Sequence, residues 1–286
     1  NFSASAAKHN IDAFHLGRDL VLHPEKYNVA VRLSLEETTQ KKAKLLGGAR
    51  AKAYLKMTGE FLSIWTGDDD TREQFVSRLY DLFEFENAAY ARRYLDRVLT
   101  VFKKDSAAGN YSATKAVVKY LHKVMEIKDE VYVAHLLTSP EKYEKDAARY
   151  KVDLASGDKI KYRHFNRPEF DIFGLKIVFD MKTRDWMLNG MKHMKFLRRV
   201  LPTWHEKEKA FRSWYEALVD RFEFTNPEQY DRWVRVLALP EEVRGYRAVR
   251  YPKMERAKAQ AEQILSGQEI PQAYKPTPVN KEFSKV

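Results

Sequence analysis

Ile127-Lys128-Asp129-Glu130-Val131-Tyr132-Val133-Ala134-His135-Leu136-Leu137-Thr138 lies near the middle of the chain and decides how the rest is read. Val133, Leu136 and Leu137, with Val124, Met125 and Ile127 upstream, follow helical spacing and predict a helix with a core face. Lys128, Asp129 and Glu130 set three charges across that face. Charges beside a core need partners, so two readings stand: they are solvated or paired with neighbouring helices, or they anchor a contact with another domain.

Upstream of this stretch the pattern is helical nearly throughout. Residues 111 to 138 read as one amphipathic helix or a kinked pair, preceded by a turn at Ala107-Ala108-Gly109-Asn110. A long helix is predicted over about 72 to 104, with Phe83, Phe85, Tyr90, Tyr94 and Val98 as core bulk. The aspartates Asp68, Asp69 and Asp70 before it suit a helix N-terminus better than a calcium loop, which alternates its ligands and turns on a glycine. Ser34 with Glu36 and Glu37 reads as a cap and acidic first turn, and Gly47-Gly48 as a break. In the first helix, over 4 to 22, Gly17 costs about 1 kcal/mol relative to Ala and is expected to permit a close helix crossing.

Downstream, Ser139-Pro140-Glu141 starts a short helix, since proline at the first helical position loses no needed hydrogen bond. The period then changes. Lys159-Ile160-Lys161-Tyr162-Arg163 and Leu175-Lys176-Ile177-Val178-Phe179 are β-like, and residues 151 to 181 are expected to form a β-hairpin arm with Ile160, Tyr162, Ile177 and Phe179 as its apolar face. Helices are predicted again from Trp186 to near Pro202, from Trp204 to Phe224, from Pro227 to Leu239 and from Tyr251 to Leu265. The expected fold is mainly α: a multi-helix domain with a central β-hairpin or two-stranded arm and an extended proline-containing C-terminal tail. Its parts are an N-terminal helical part (1–150), the arm (151–181), a C-terminal helical part (182–267) and the tail (268–286).

Composition narrows the function. Of 286 residues, 44% are apolar and 13% aromatic, enough for a core, and 51 Lys plus Arg against 40 Asp plus Glu leave a net charge of +11. A basic chain suits an acidic partner, although here the cations are interleaved with acids. The absence of cysteine excludes disulfides, Cys-ligated zinc, a thiol nucleophile and a Cys-ligated iron–sulfur cluster on this chain. No apolar run approaches the roughly 20 residues needed to span a bilayer. The chain therefore reads as soluble and cytoplasmic. It opens on Asn1 without Met, as a processed product or a segment of something longer would.

Motifs for chemistry are missing. There is no GxGxxG, no GxxxxGK[ST], no G-x-S-x-G and no zincin pair among the eight histidines, so His122 and His135 read as buried or interfacial imidazoles. Lys192-His193-Met194-Lys195 with Arg198-Arg199 is the densest basic patch and is expected to be a solvated helix edge or, alternatively, a phosphate contact.

Several segments, in one consistent order, resemble the long C-terminal module of the bacterial indolepyruvate ferredoxin oxidoreductase family, the thiamine-diphosphate 2-oxoacid oxidoreductases. They are Asn10-Ile11-Asp12-Ala13-Phe14 with Gly17-Arg18; Glu86-Asn87-Ala88-Ala89-Tyr90-Ala91 with Tyr94; Lys128-Asp129-Glu130 with Tyr132-Val133-Ala134 and Leu136; Trp186-Met187-Leu188; Tyr215-Glu216-Ala217-Leu218; and Leu239-Pro240-Glu241-Glu242-Val243-Arg244-Gly245-Tyr246. Ile127 replaces an aromatic of that pattern, His135 an arginine, and Arg247-Ala248-Val249-Arg250 a Gly-His-Val-Lys, as in a divergent member.

The resemblance implies an architectural role. Thiamine diphosphate, magnesium and iron–sulfur clusters would sit in other domains, with no cofactor on this chain. The implied partners are the catalytic domains or subunits of a 2-oxoacid oxidoreductase and, for a basic chain, an acidic ferredoxin. The rival from another class is a free-standing basic helical protein that binds nucleic acid or another protein. No catalytic, cofactor-binding or metal-ligating residue is assigned; the interface or structural candidates are Gly17, Arg18, Lys128, Asp129, Glu130, Arg244, Gly245 and Tyr246. Arg244-Gly245-Tyr246 is expected to fix the C-terminal segment against the Lys128-Asp129-Glu130 run, with Arg244 on Asp129, on Glu130 or on a carboxylate of a catalytic domain. The alternative leaves Arg244 solvated beside a turn at Gly245.

Overall fold

The computed structural model describes residues 4–23, 33–153, 156–166, 169–172, 175–178, 181–201 and 203–267, and among them short polar side chains cap the starts of six α-helices. Contacts divide the chain into two compact units, Asn1–Lys41 and Lys42–Val286. In the first, α1 (Ala4–Leu22) exposes Ile11, Phe14, Leu16 and Val21. A Cβ built on Gly17 would meet nothing within 4 Å, so no close helix crossing accounts for that glycine. α2 (Leu35–Leu46) begins with a capping box in which Ser34 N–H donates to Glu37 at 2.8 Å and Glu37 N–H donates to Ser34 Oγ at 3.2 Å.

The second unit is a packed set of helices. α3 (Gly48–Leu62) follows the Gly47-Gly48 break, where both residues have positive φ. The helix predicted over 72 to 104 is two helices, α4 (Asp69–Phe85) and α5 (Ala88–Lys104), because Asn87 turns extended and its side chain caps Tyr90 N–H. Asp68 caps α4 through Thr71 N–H at 2.8 Å, which accounts for the aspartate run. The stretch over 111 to 138 is likewise a pair, α6 (Ser112–Met125) and α7 (Glu130–Leu137), and Ser139 and Pro140 open α8 (Pro140–Tyr150).

The β arm is real but shifted. β1 (His164–Asn166) pairs antiparallel with β4 (Met181–Thr183), and β2 (Glu169–Ile172) with β3 (Leu175–Val178), in the register Glu169↔Val178 and Ile172↔Leu175. Lys159 to Arg163 is not strand. Tyr162 instead packs on α8, its ring tilted against Tyr143 at 5.4 Å between centroids and its hydroxyl donating to Asp146 at 2.9 Å. Phe179 and the tail over 268–286 lie outside the described residues.

The helix expected from Trp186 to Pro202 is broken into α9 (Asp185–Met191) and α10 (Leu197–Val200). α11 (Glu206–Asp220), α12 (Pro227–Ala238, capped by Asn226) and α13 (Arg247–Leu265) complete the unit, with a 3-10 turn over Leu239–Glu242. α4, α5 and α6 pack on one another, and α11 and α12 pack on α6, so helices from both sides of the β arm share one core. Phe75, Leu79, Tyr94, Val98, Val117, Leu121, Tyr215 and Val236 are fully buried there; each such aliphatic or aromatic side chain contributes about 1.5–3 kcal/mol. Buried tyrosines stay satisfied by donating to helix carbonyls: Tyr94 to Val118 at 2.8 Å and Tyr215 to Leu237 at 2.6 Å. Among the described residues no helix is long and apolar enough to cross a membrane.

Candidate functional site: a buried ionic cluster

α6 stops at Met125, and the chain runs through Glu126 to Lys128 before Asp129 starts α7. Asp129 is 2% exposed. Its Oδ1 caps Tyr132 N–H at 2.8 Å, and both its oxygens accept from Arg198 of α10, Nε at 2.6 Å and Nη2 at 2.9 Å. This two-pronged pairing is what the flat guanidinium makes best. Arg198 Nη1 reaches the α4–α5 break, donating to the Phe85 carbonyl and to Glu86 Oε2 at 2.9 Å, and the guanidinium lies 4.0 Å over the Phe85 ring. Arg199 donates to the other Glu86 oxygen at 3.0 Å, and Lys195 donates to the carbonyls of Glu84 and Glu86. Carbonyls freed by the end of α4 are thus met by cations from the α9–α10 segment.

Glu130 faces the opposite way. His205 Nε2 lies 3.0 Å from its Oε2, and Arg247 donates to its Oε1 at 3.2 Å. His205 Nδ1 is 3.7 Å from Glu208. Burial pushes the His205 imidazole down, but the hydrogen bonds and charges of Glu130 and Glu208 outweigh it and raise the pKa to about 9. Burial raises Glu130 and Glu208, but the hydrogen bond and charge of His205, a backbone hydrogen bond and a nearby arginine together outweigh it and hold each below the ordinary carboxylate value. His205 sits at φ +54, a left-handed backbone that a non-glycine residue keeps only where surroundings fix it.

Of the predicted site residues, Asp129 and Glu130 meet in this cluster and pair with neighbouring helices of their own unit. Lys128 is exposed, and its carbonyl accepts from Tyr246 Oη at 3.4 Å. Arg244 does not reach the run: it is exposed and pairs locally with Glu241. The cation that joins the C-terminal segment to Glu130 is Arg247, three residues on. Gly245 turns at φ +105, where a Cβ would come within 2.8 Å of Val249. Gly17 and Arg18 belong to α1 in the other unit. The basic patch is divided: His193 and Arg199 are exposed, as on a solvated edge, while Lys195 and Arg198 turn inward onto the α4–α5 break.

Sequence reading missed Glu86, Arg198, His205, Glu208 and Arg247 as site residues. Arg198 carried a signal only as part of a charge run, and Arg247 only as a departure from the family pattern. With Arg or His held on each of Glu86, Asp129 and Glu130, the arrangement suits a fixed joint better than proton transfer. A separate group, Asp81, His122 and Glu126, brings its ligand-type atoms within 4.8 Å of one another.

The family described as "Family of unknown function (DUF6537)" matches residues 71–263. The chain belongs to this family. The DUF6537 region takes in most of α4, α5 to α12 and most of α13, and every member of the ionic cluster lies inside it, whereas Gly17 and Arg18 lie outside. No curated protein and no solved structure matches the chain.

Proposed function

We propose that the chain is a non-catalytic assembly module of an indolepyruvate-type 2-oxoacid:ferredoxin oxidoreductase, working in the cytoplasm and packing on catalytic domains that carry thiamine diphosphate, magnesium and iron–sulfur clusters. One observation carries the reading. Within Lys42–Val286, several segments that resemble that family, far apart in sequence, are tied together: Glu86 and Asp129 share Arg198, Arg93, between Tyr90 and Tyr94, donates to Glu216, and Tyr246 donates to the Lys128 carbonyl. Residues that resemble the family's motifs are therefore residues of the frame. A chain without cysteine fits a division in which clusters lie elsewhere, and its net positive charge suits an acidic electron carrier such as ferredoxin. The inward turn of Arg198 and Lys195 weighs against the nucleic-acid reading, which needs its cations free for phosphate.

The test is co-expression with a thiamine-diphosphate catalytic polypeptide of that class, followed by size-exclusion chromatography and 2-oxoacid turnover with ferredoxin. The expected result is one co-eluting complex and no turnover by this chain alone. Turnover by the isolated chain, or failure to co-elute, overturns the proposal; steep salt-dependent binding of DNA or RNA would favour the rival.

A further inference from the structure

We propose that Asp81, His122 and Glu126 form a binding site for one divalent transition-metal ion of the Zn²⁺ class. α6 carries His122 and, one turn on at its C-terminal boundary, Glu126; α4 packs beside it and supplies Asp81. One ligand atom from each lies within 4.8 Å of the other two. Ligands about 2.0–2.2 Å from a tetrahedral ion stand about 3.5 Å apart, so the three need close by only about 1 Å, a side-chain adjustment.

The histidine is the second observation. His122 is 9% exposed, and its Nε2 is shut off from solvent without a hydrogen-bond partner. The nearest carboxylate oxygen, Asp81 Oδ2, is 3.5 Å away. A buried ring nitrogen left unmatched is destabilising, and a metal ion held by that nitrogen and the two carboxylates would satisfy it. Glu126 is already oriented, because Tyr132, itself buried, donates to its Oε1 at 2.6 Å. Outer partners of this kind fix ligating carboxylates in metal sites. Asp81 keeps its side chain 34% exposed, which leaves an entry path and room for a water in the fourth position. One nitrogen and two carboxylates with an open position suit Zn²⁺ or Mn²⁺; an imidazole ligand disfavours Mg²⁺ and Ca²⁺, which take oxygen. The sequence alone hides this site, because only His122 and Glu126 are near in sequence.

The experiment uses the full chain without an affinity tag, stripped with chelator and returned to metal-free buffer. Calorimetric titration with Zn²⁺ should give one equivalent bound, with a melting temperature that keeps rising as free Zn²⁺ exceeds the Kd. Asp81→Asn and Glu126→Gln keep shape and should each weaken Zn²⁺ by at least about the 10- to 100-fold that loss of an outer partner costs. His122→Gln should do the same; if it fails to fold, the two carboxylate variants decide. The proposal is overturned if the wild-type chain binds no Zn²⁺, or if the Asp81→Asn/Glu126→Gln double variant, folded by circular dichroism, binds it equally well.

Discussion

Arg198 and Asp129, 69 residues apart in sequence, are joined by two hydrogen bonds of 2.6 and 2.9 Å in the interior of the helical unit. Asp129 also starts α7, and Arg198 also holds Glu86 at the break between α4 and α5. One ion pair thus ties two helix boundaries to the segment that follows the β arm. Because both charges are removed from water, the pair is a matter of all or nothing: intact it roughly repays its desolvation, while removal of one member strands the other.

His205 gives the cluster its pH range. Its folded pKa of about 9 exceeds the ordinary imidazole value, so its contribution is full below about 6.5 and is lost as pH rises through 9, at most about 3 kcal/mol. Glu130 and Glu208 are shifted down, so their contribution is present above the ordinary carboxylate value and is lost as pH falls below it. Melting temperature should plateau between about pH 5 and 6.5, fall progressively from there to about pH 9, and drop on the acid side as well. In His205→Asn the alkaline drop should flatten; an unchanged alkaline limb would place its cause elsewhere.

Arg247 and Arg244 should separate cleanly. Arg247→Ala leaves the largely buried Glu130 with one fewer cation and should cost about 1–3 kcal/mol in urea denaturation. Arg244→Ala removes an exposed pair with Glu241 and should cost about 1 kcal/mol or less. The reverse order would return the joint to Arg244.

Gly245→Ala should destabilise by about 1–3 kcal/mol, since φ of +105 is closed to side chains and the new Cβ meets Val249. Val249 is exposed and can move, so the backbone supplies most of the cost. Equal stability of the variant in urea would mean the turn relaxes.

The arm should be dispensable for folding. Replacing residues 165–182 by a short Gly-Ser linker keeps Tyr162 on Asp146 and His164 on Asp185. Helical circular dichroism and the cooperative melt should survive, while co-elution with the proposed catalytic partner should weaken. A truncated chain that loses its cooperative transition would make the arm part of the core.

The helical class was legible because its signals are local. Ser34, Asp68, Ser139 and Asn226 cap helices through hydrogen bonds spanning three residues, and the prolines at 140 and 227 stand at first helical positions. The one long helix predicted over 72 to 104 failed at Asn87, where a cap sits inside a continuous apolar period and the period masks it; over 111 to 138 the kinked-pair alternative holds, with Asp129 as the second cap. Asp129 and Glu130 were legible as charges needing partners. Their partners were not, because Arg198, His205 and Arg247 arrive from 69, 75 and 117 residues away, and periodicity carries no information at that range. Arg247 was hidden for the same reason: spacing from Gly245 does not say which arginine the turn aims inward.

The central claim is that the charged run at the middle of the chain is a structural joint, and a double-mutant cycle on Arg198 and Asp129 tests it most directly. Asp129→Asn keeps the cap on Tyr132 while removing the charge and the acceptor that meets Arg198 Nε, and Arg198→Met keeps the packing over Phe85. Urea denaturation of the wild type, both single variants and the double variant should give single losses of about 3 kcal/mol or more and a coupling energy of about 2–3 kcal/mol. A coupling energy below about 0.5 kcal/mol would contradict the account, because the two residues would then contribute independently.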